Sequence, residues 1–130
     1  MRRRDMVGGL AAIGTGLLAA APAPAQPAAY PNRPIRIIVP FAPGGGVDAV
    51  GRAVAQRLSE RLGVPVVVEN RSGASGTIGG QVVQTATPDG YTLLFSASTH
   101  VMARQVLRRA PYDPVADFTA IAQVGAAPML

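Results

Sequence analysis

The chain has 130 residues, with 12 arginines and no lysine, seven acidic residues, a single histidine and no cysteine, for a formal net charge of +5. These counts exclude disulfide frameworks, thiolate and multi-histidine metal sites, Schiff-base chemistry and the P-loop lysine. Beyond residue 25 only Arg108 and Arg109 are adjacent and few aromatics accompany the arginines, so the clustered basic face of a nucleic-acid interface is not expected.

Arg2, Arg3 and Arg4 precede an apolar run from Val7 to Ala21, and Ala23-Pro24-Ala25 places small residues where a signal peptidase reads. Residues 1–25 therefore read as a secretory signal cleaved after Ala25, which would leave nine arginines against six acids. Arg3-Arg4-Asp5-Met6-Val7 fits a twin-arginine signal about as well. Residues 26–34 are a Pro/Ala-rich leader, kept extended by Tyr30-Pro31 and Arg33-Pro34.

Residues 35–39 form a nearly continuous branched apolar run, the pattern of a strand buried on both faces of a parallel sheet. Pro40, Pro43 and Gly44-Gly45-Gly46 follow as a tight loop, and residues 48–62 as a helix with Val50, Val54, Leu58 and Leu62 on its inward stripe. Gly63 ends that helix. The device repeats with a second strand at 66–69, a loop at 70–76 rich in glycine, and a weaker helix at 77–86 with Ile78, Val82 and Val83 inward. Pro88-Asp89-Gly90 is a turn. A third strand is expected at 91–95, the loop Ser96-Ala97-Ser98-Thr99 after it, a helix at 100–107, a turn at Pro111-Tyr112-Asp113-Pro114 and a fourth strand at 118–124.

The alternation implies right-handed crossovers and an α/β, doubly wound sheet, in which ligands bind beyond the carboxyl ends of the strands. All three strand-following loops fall at that edge. A glycine loop opening a helix presents unpaired N–H groups at the positive end of the helix dipole, so an anion is the natural ligand. No catalytic constellation accompanies these loops. The glycines at 73, 76 and 79 are not the dinucleotide fingerprint, although Glu69 stands where a ribose-binding acid could. Ser98 and His100 are close enough in sequence to raise a small secreted hydrolase as the alternative, but no G-x-S-x-G elbow is present. Asp48 reads either as a helix N-cap or as a group that meets a ligand ammonium or orients the loop. Phe41 reads equally as a ligand platform or as packing at the domain edge.

Tyr30-Pro31-x-Arg33-Pro34-Ile35-Arg36-x-Ile38-Val39-Pro40-Phe41-x-Pro43-Gly44-Gly45-x-x-Asp48 resembles the opening of the tripartite tricarboxylate transporter receptors, the Bug or TctC-like periplasmic solute-binding proteins. Leu58-Ser59-Glu60-Arg61-Leu62-Gly63-x-Pro65-Val66-Val67-Val68-Glu69-Asn70-Arg71, Pro88-Asp89-Gly90-Tyr91-Thr92-Leu93-Leu94 and Pro111-Tyr112-Asp113-Pro114-x-x-Asp117-Phe118 continue the likeness in order. The resemblance implies lobe one of a type II periplasmic-binding-protein fold, incomplete here, in a non-enzymatic, monomeric receptor that takes no cofactor. That receptor would capture a small organic carboxylate in the periplasm and deliver it to a membrane permease. By motif, Phe41, Ala42, Gly44, Gly45 and Asp48 belong to the first binding loop. Gly76, Thr77, Ile78 and Gly79 belong to the second, and Ser96 and Ser98 to the third. Residues 35–124 would form the lobe and 125–130 the start of a hinge, after which the chain reads as truncated. A non-functional remnant is the remaining alternative.

Overall fold

The computed structural model describes residues 29–107 and 110–126. Readings of residues 1–25 as a signal and of the hinge beyond residue 126 lie outside the described residues. Three parallel strands, β1 (Ile35–Val39), β2 (Val66–Asn70) and β3 (Thr92–Leu94), form a sheet in the order β2-β1-β3. Ile37 stands opposite Val68 on one side and Leu93 on the other. The branched run of β1 lies at the centre of this sheet, with Ile35, Ile37, Ile38 and Val39 all buried. Burial on both faces is what its uninterrupted apolar sequence predicts.

Helix α1 (Gly46–Leu62) connects β1 to β2, and α2 (Thr77–Gln84) carries the chain back past β1 to β3. Right-handed crossovers in opposite directions place the two helices on opposite faces, which makes the sheet doubly wound. Ile37 and Val39 pack with Ala55 of α1, with Phe41, Leu58, Val68 and Phe95 around them. Ile38 points to the other face by strand alternation, where α2 lies against β1 and β3.

Four expectations are corrected. The buried side of α1 is Asp48, Gly51 and Ala55, with Val54 and Leu58 half-buried, while Val50 is 47% exposed and Leu62 is also exposed. Gly51 lets the helix approach closely: a Cβ there would stand 3.2 Å from the Phe95 ring and 3.3 Å from Val39. In α2 it is Thr77, Gly79 and Gly80 that are buried, with Val82 and Val83 half-buried as expected, whereas Ile78 is 47% exposed. The helix expected at 100–107 is a 3-10 turn (Ser98–His100) followed by the short α3 (Ala103–Val106). Residues 118–124 form no strand, because they pair with neither free edge of the sheet, and Ile121 is left 76% exposed.

The sequence around Tyr112 folds into a clamp instead. Asp113 accepts the N–H groups of Val115 and Ala116, Asp117 accepts that of Asp113, and Arg104 pairs with Asp113 at 2.5 Å. This holds the buried Tyr112 ring against the bare face of Gly80 in α2.

Candidate functional site

All three loops that follow the strands meet at the carboxyl edge of the sheet. In the first, Pro40 follows the last ladder residue, Gly44 adopts a left-handed φ of 85° and Gly45 is the extended N-cap of α1. Asp48 is thus the third residue of the helix and not its cap, which corrects the capping alternative. Its carboxylate is 3% exposed and accepts three donors: the Gly44 N–H at 2.8 Å, the Arg52 Nε at 3.0 Å and the Asn70 Nδ2 at 2.8 Å. The Arg52 hydrogen bond first, then those of Gly44 and Asn70, lower its pKa from 3.8 to about 2 against the opposing effect of burial. Among the orienting roles considered for Asp48, the observed one is to fix the loop. Phe41 is half-buried at the edge of the core, and its carbonyl accepts a second hydrogen bond from Asn70 Nδ2 at 3.1 Å. Ala42 and Gly45 are exposed.

The second loop is a run of four left-handed residues, Gly73, Ala74, Ser75 and Gly76, with φ of 127°, 47°, 55° and 89°. For Ala74 and Ser75 that conformation costs on the order of 1–2 kcal/mol each, so the surroundings must enforce it. The Gly76 N–H closes on Gly73, and the Thr77 hydroxyl bonds the Ala74 carbonyl at 2.8 Å. Gly79 then packs on the first loop, since a Cβ there would lie 2.7 Å from Pro40 Cβ and 2.9 Å from the Arg71 carbonyl oxygen. Ile78 folds its side chain over Gly73.

The third loop runs through the half-buried Ser96 into the 3-10 turn that holds the exposed Ser98, and this turn touches the one at Ala74–Gly76. Loops one and two therefore join through Pro40 and Gly79, and loops two and three through their turns. His100 does not serve Ser98 as a base. Its ring stacks on Tyr112 at 5.6 Å and meets Phe118 edge-on at 4.8 Å, and among the described residues no carboxylate bonds to it. Burial lowers its pKa, with the Pro114 carbonyl opposing, which suits a neutral packing residue. Glu69 is held between Arg36 (2.6 Å) and Arg71, so it offers no free acid for a ribose.

Neither α1 nor α2 has a side chain capping its N-terminus. The first N–H groups of α1 are left for something else at the positive end of its dipole, whereas in α2 the Thr77 N–H is taken by the Ala74 carbonyl and the positive end is presented through the residues that follow. The described residues hold no group of three or more His, Asp and Glu able to bind a metal, and no helix long and apolar enough to cross a membrane. A groove of about 280 Å³ between Arg33, Arg36, Asp89 and Tyr91 lies at the opposite edge of the sheet. Arg52 and Asn70 were not singled out by sequence reasoning. The available signal was the i, i+4 spacing of Asp48 and Arg52.

A family model described as the tripartite tricarboxylate transporter family receptor matches residues 50–130. The protein BugT of Bordetella pertussis is 42% identical over 110 residues, covering 83% of this chain and 34% of BugT. Among solved structures, an R. palustris protein with adipate is 40% identical at a TM-score of 0.64, covering 66% of this chain and 29% of that one. MatC from Rhodopseudomonas palustris with bound malate is 37% identical at a TM-score of 0.64, covering 69% of this chain and 31% of MatC. The chain spans about a third of the length of the curated relatives it matches.

Proposed function

The chain belongs to the tripartite tricarboxylate transporter receptor family, and from that premise we propose that it holds one carboxylate of a small organic acid at the carboxyl edge of its sheet. The family is one of solute-binding receptors in the periplasm, not of enzymes, which assigns the chain to that compartment. The proposal extends to a signal at residues 1–25 that is cleaved on export, a lobe over residues 35–124, a monomeric state and a transporter permease as the recipient of the ligand.

The observation that carries this reading is the uncapped start of two helices on loops that touch each other. Each helix end supplies N–H donors and roughly half a positive charge, which together match one carboxylate group. Ala42, Gly45 and the first turn of α1 would provide donors on one side; on the other, Gly76 and Thr77, whose own donors close the loop on Gly73 and Ala74, would present the N–H groups of Ile78 and Gly79. Ser96 and Ser98 would add hydroxyl donors from the third loop. Phe41 would shape the floor, while Gly44 contributes through its bond to Asp48. Adipate and malate differ in length and in hydroxylation but share carboxylates, so in those two relatives the common element is the one this edge is built to hold.

Thermal melts of the chain with acetate, malate, adipate, citrate, acidic amino acids and nicotinate test the reading. A true ligand at a hundred times its Kd should stabilise the fold by about 2.7 kcal/mol and raise the midpoint accordingly. A cooperative transition that no carboxylate moves would overturn it.

A further inference from the structure

We infer that Arg52 and Asn70, acting through Asp48, are positioning residues of the carboxylate site. The inference rests on the reading just given and names what holds its first loop in place. Asn70 is the last residue of β2. Its Nδ2 donates both to the Phe41 carbonyl at 3.1 Å and to Asp48 Oδ1 at 2.8 Å, while its Oδ1 accepts the Arg52 guanidinium at 2.9 Å. Arg52 Nε closes the ring on Asp48 Oδ2 at 3.0 Å, and the Gly44 N–H reaches that same oxygen at 2.8 Å. Strand end, loop and first helical turn are thereby tied by five hydrogen bonds among side chains and loop backbone.

The ring has two properties that a ligand site needs. First, Asp48 takes the N–H of Gly44, which lies outside the helix, and so orders the loop without occupying the N–H groups of the first turn of α1. Second, a lone carboxylate here would repel an incoming anion, and the Arg52 guanidinium cancels it within contact distance. Arg52 spans two partners with different nitrogens, a geometry that a lysine ammonium cannot reproduce.

Charge alone and positioning predict opposite results. If only charge mattered, Asp48→Asn would remove a nearby negative group and tighten anion binding, and Arg52→Lys would bind as the wild type does. If the ring positions the loop, both substitutions weaken binding, on the order of tenfold, because each leaves a donor or acceptor of the network unpaired. The experiment is calorimetric titration of wild type, Asp48→Asn and Arg52→Lys with adipate, together with hydrogen exchange at the Gly44 amide without ligand. Arg52 is half-exposed, so Arg52→Lys tests the inference even where Asp48→Asn fails to fold. Weaker binding by Arg52→Lys with faster Gly44 exchange is the expected result. Wild-type binding matched or exceeded by the variants overturns the inference alone. A wild type that gives no heat with any acid of the panel used for the melts overturns the carboxylate reading and this inference with it.

Discussion

At residue scale, Asp48 links the site to the stability of the fold. Its carboxyl is held at about 2 in the folded state against an ordinary 3.8, so the folded chain favours the ionised form more than the unfolded chain does. Such a group stabilises fully above its unfolded value and loses that contribution as pH falls through the folded one. Glu69, held low chiefly by Arg36, and Asp113, held low by the Ala116 and Val115 N–H groups, act with the same sign. The urea midpoint should therefore decline gently below about pH 6.5, where the unfolded chain protonates His100 before the folded one does, and fall steeply from about pH 4 toward pH 2 as these carboxylates lose their contribution. Asp48→Asn should start lower at pH 7, lose less on acidification and approach the wild-type curve near pH 2. Urea titrations at four pH values decide the matter, and parallel curves would exclude Asp48 as a source of the acid sensitivity.

At the scale of elements, bare glycine faces decide how the helices sit. A Cβ at Gly80 would stand 2.0 Å from the Tyr112 hydroxyl oxygen, with the ring carbons close behind. Gly80→Ala should thus displace the Tyr112 clamp and cost about 1–3 kcal/mol. Gly51→Ala meets only the Phe95 ring edge and a Val39 methyl at 3.2–3.3 Å. The better helix propensity of alanine, about 1 kcal/mol, offsets most of that crowding, and the variant should stay within about 1 kcal/mol of wild type. Denaturation of both variants checks the contrast, and equal losses would sink the account of α2 packing. The same contacts explain what the sequence made legible. The branched run of β1, the 17 residues of α1 and the glycines that end strands and start helices carry strong local signals, and each element formed where they pointed. The buried face of α1 was hidden because hydrophobicity selects Val50 and Leu62, whereas close approach selects Gly51 and Ala55. Residues 118–124 have strand-like composition, but a strand exists only with a neighbour to complete its ladder, and composition does not supply one. The Asp48–Asn70 contact spans 22 residues and joins polar groups, so no periodicity announces it.

At the scale of the whole molecule, the two edges of the sheet have separate duties. The carboxyl edge holds the loops of the proposed site, and the opposite edge is closed by the leader. Tyr30 bonds the Gly90 carbonyl at 2.8 Å and meets Tyr91 edge-on at 5.0 Å. Arg33 stacks over the Tyr91 ring at 4.1 Å and pairs with Asp89 at 2.6 Å, and Asn32 exchanges hydrogen bonds with the Tyr91 hydroxyl. These contacts join residues 56 to 61 positions apart, which explains physically why the Tyr30-Pro31-x-Arg33 and Asp89-Gly90-Tyr91 motifs occur together. Cleavage after Ala25 would leave this tie intact in the exported chain. The Arg33–Asp89 pair is exposed and adds little by itself, about 0–1 kcal/mol. The aromatic pair adds roughly 0.5–1.5 kcal/mol beyond its area. Tyr30→Ala should accordingly lower the melting midpoint by several degrees, since about 1 kcal/mol shifts a domain of this size by 4–8 °C. Carboxylate affinity should not change, because substitutions at opposite edges share no partners and act independently. Paired melts and calorimetric titrations of Tyr30→Ala measure the two quantities separately. A loss of affinity as large as that of Arg52→Lys would mean that the edges are coupled through β1, and the division of labour between them would have to be abandoned.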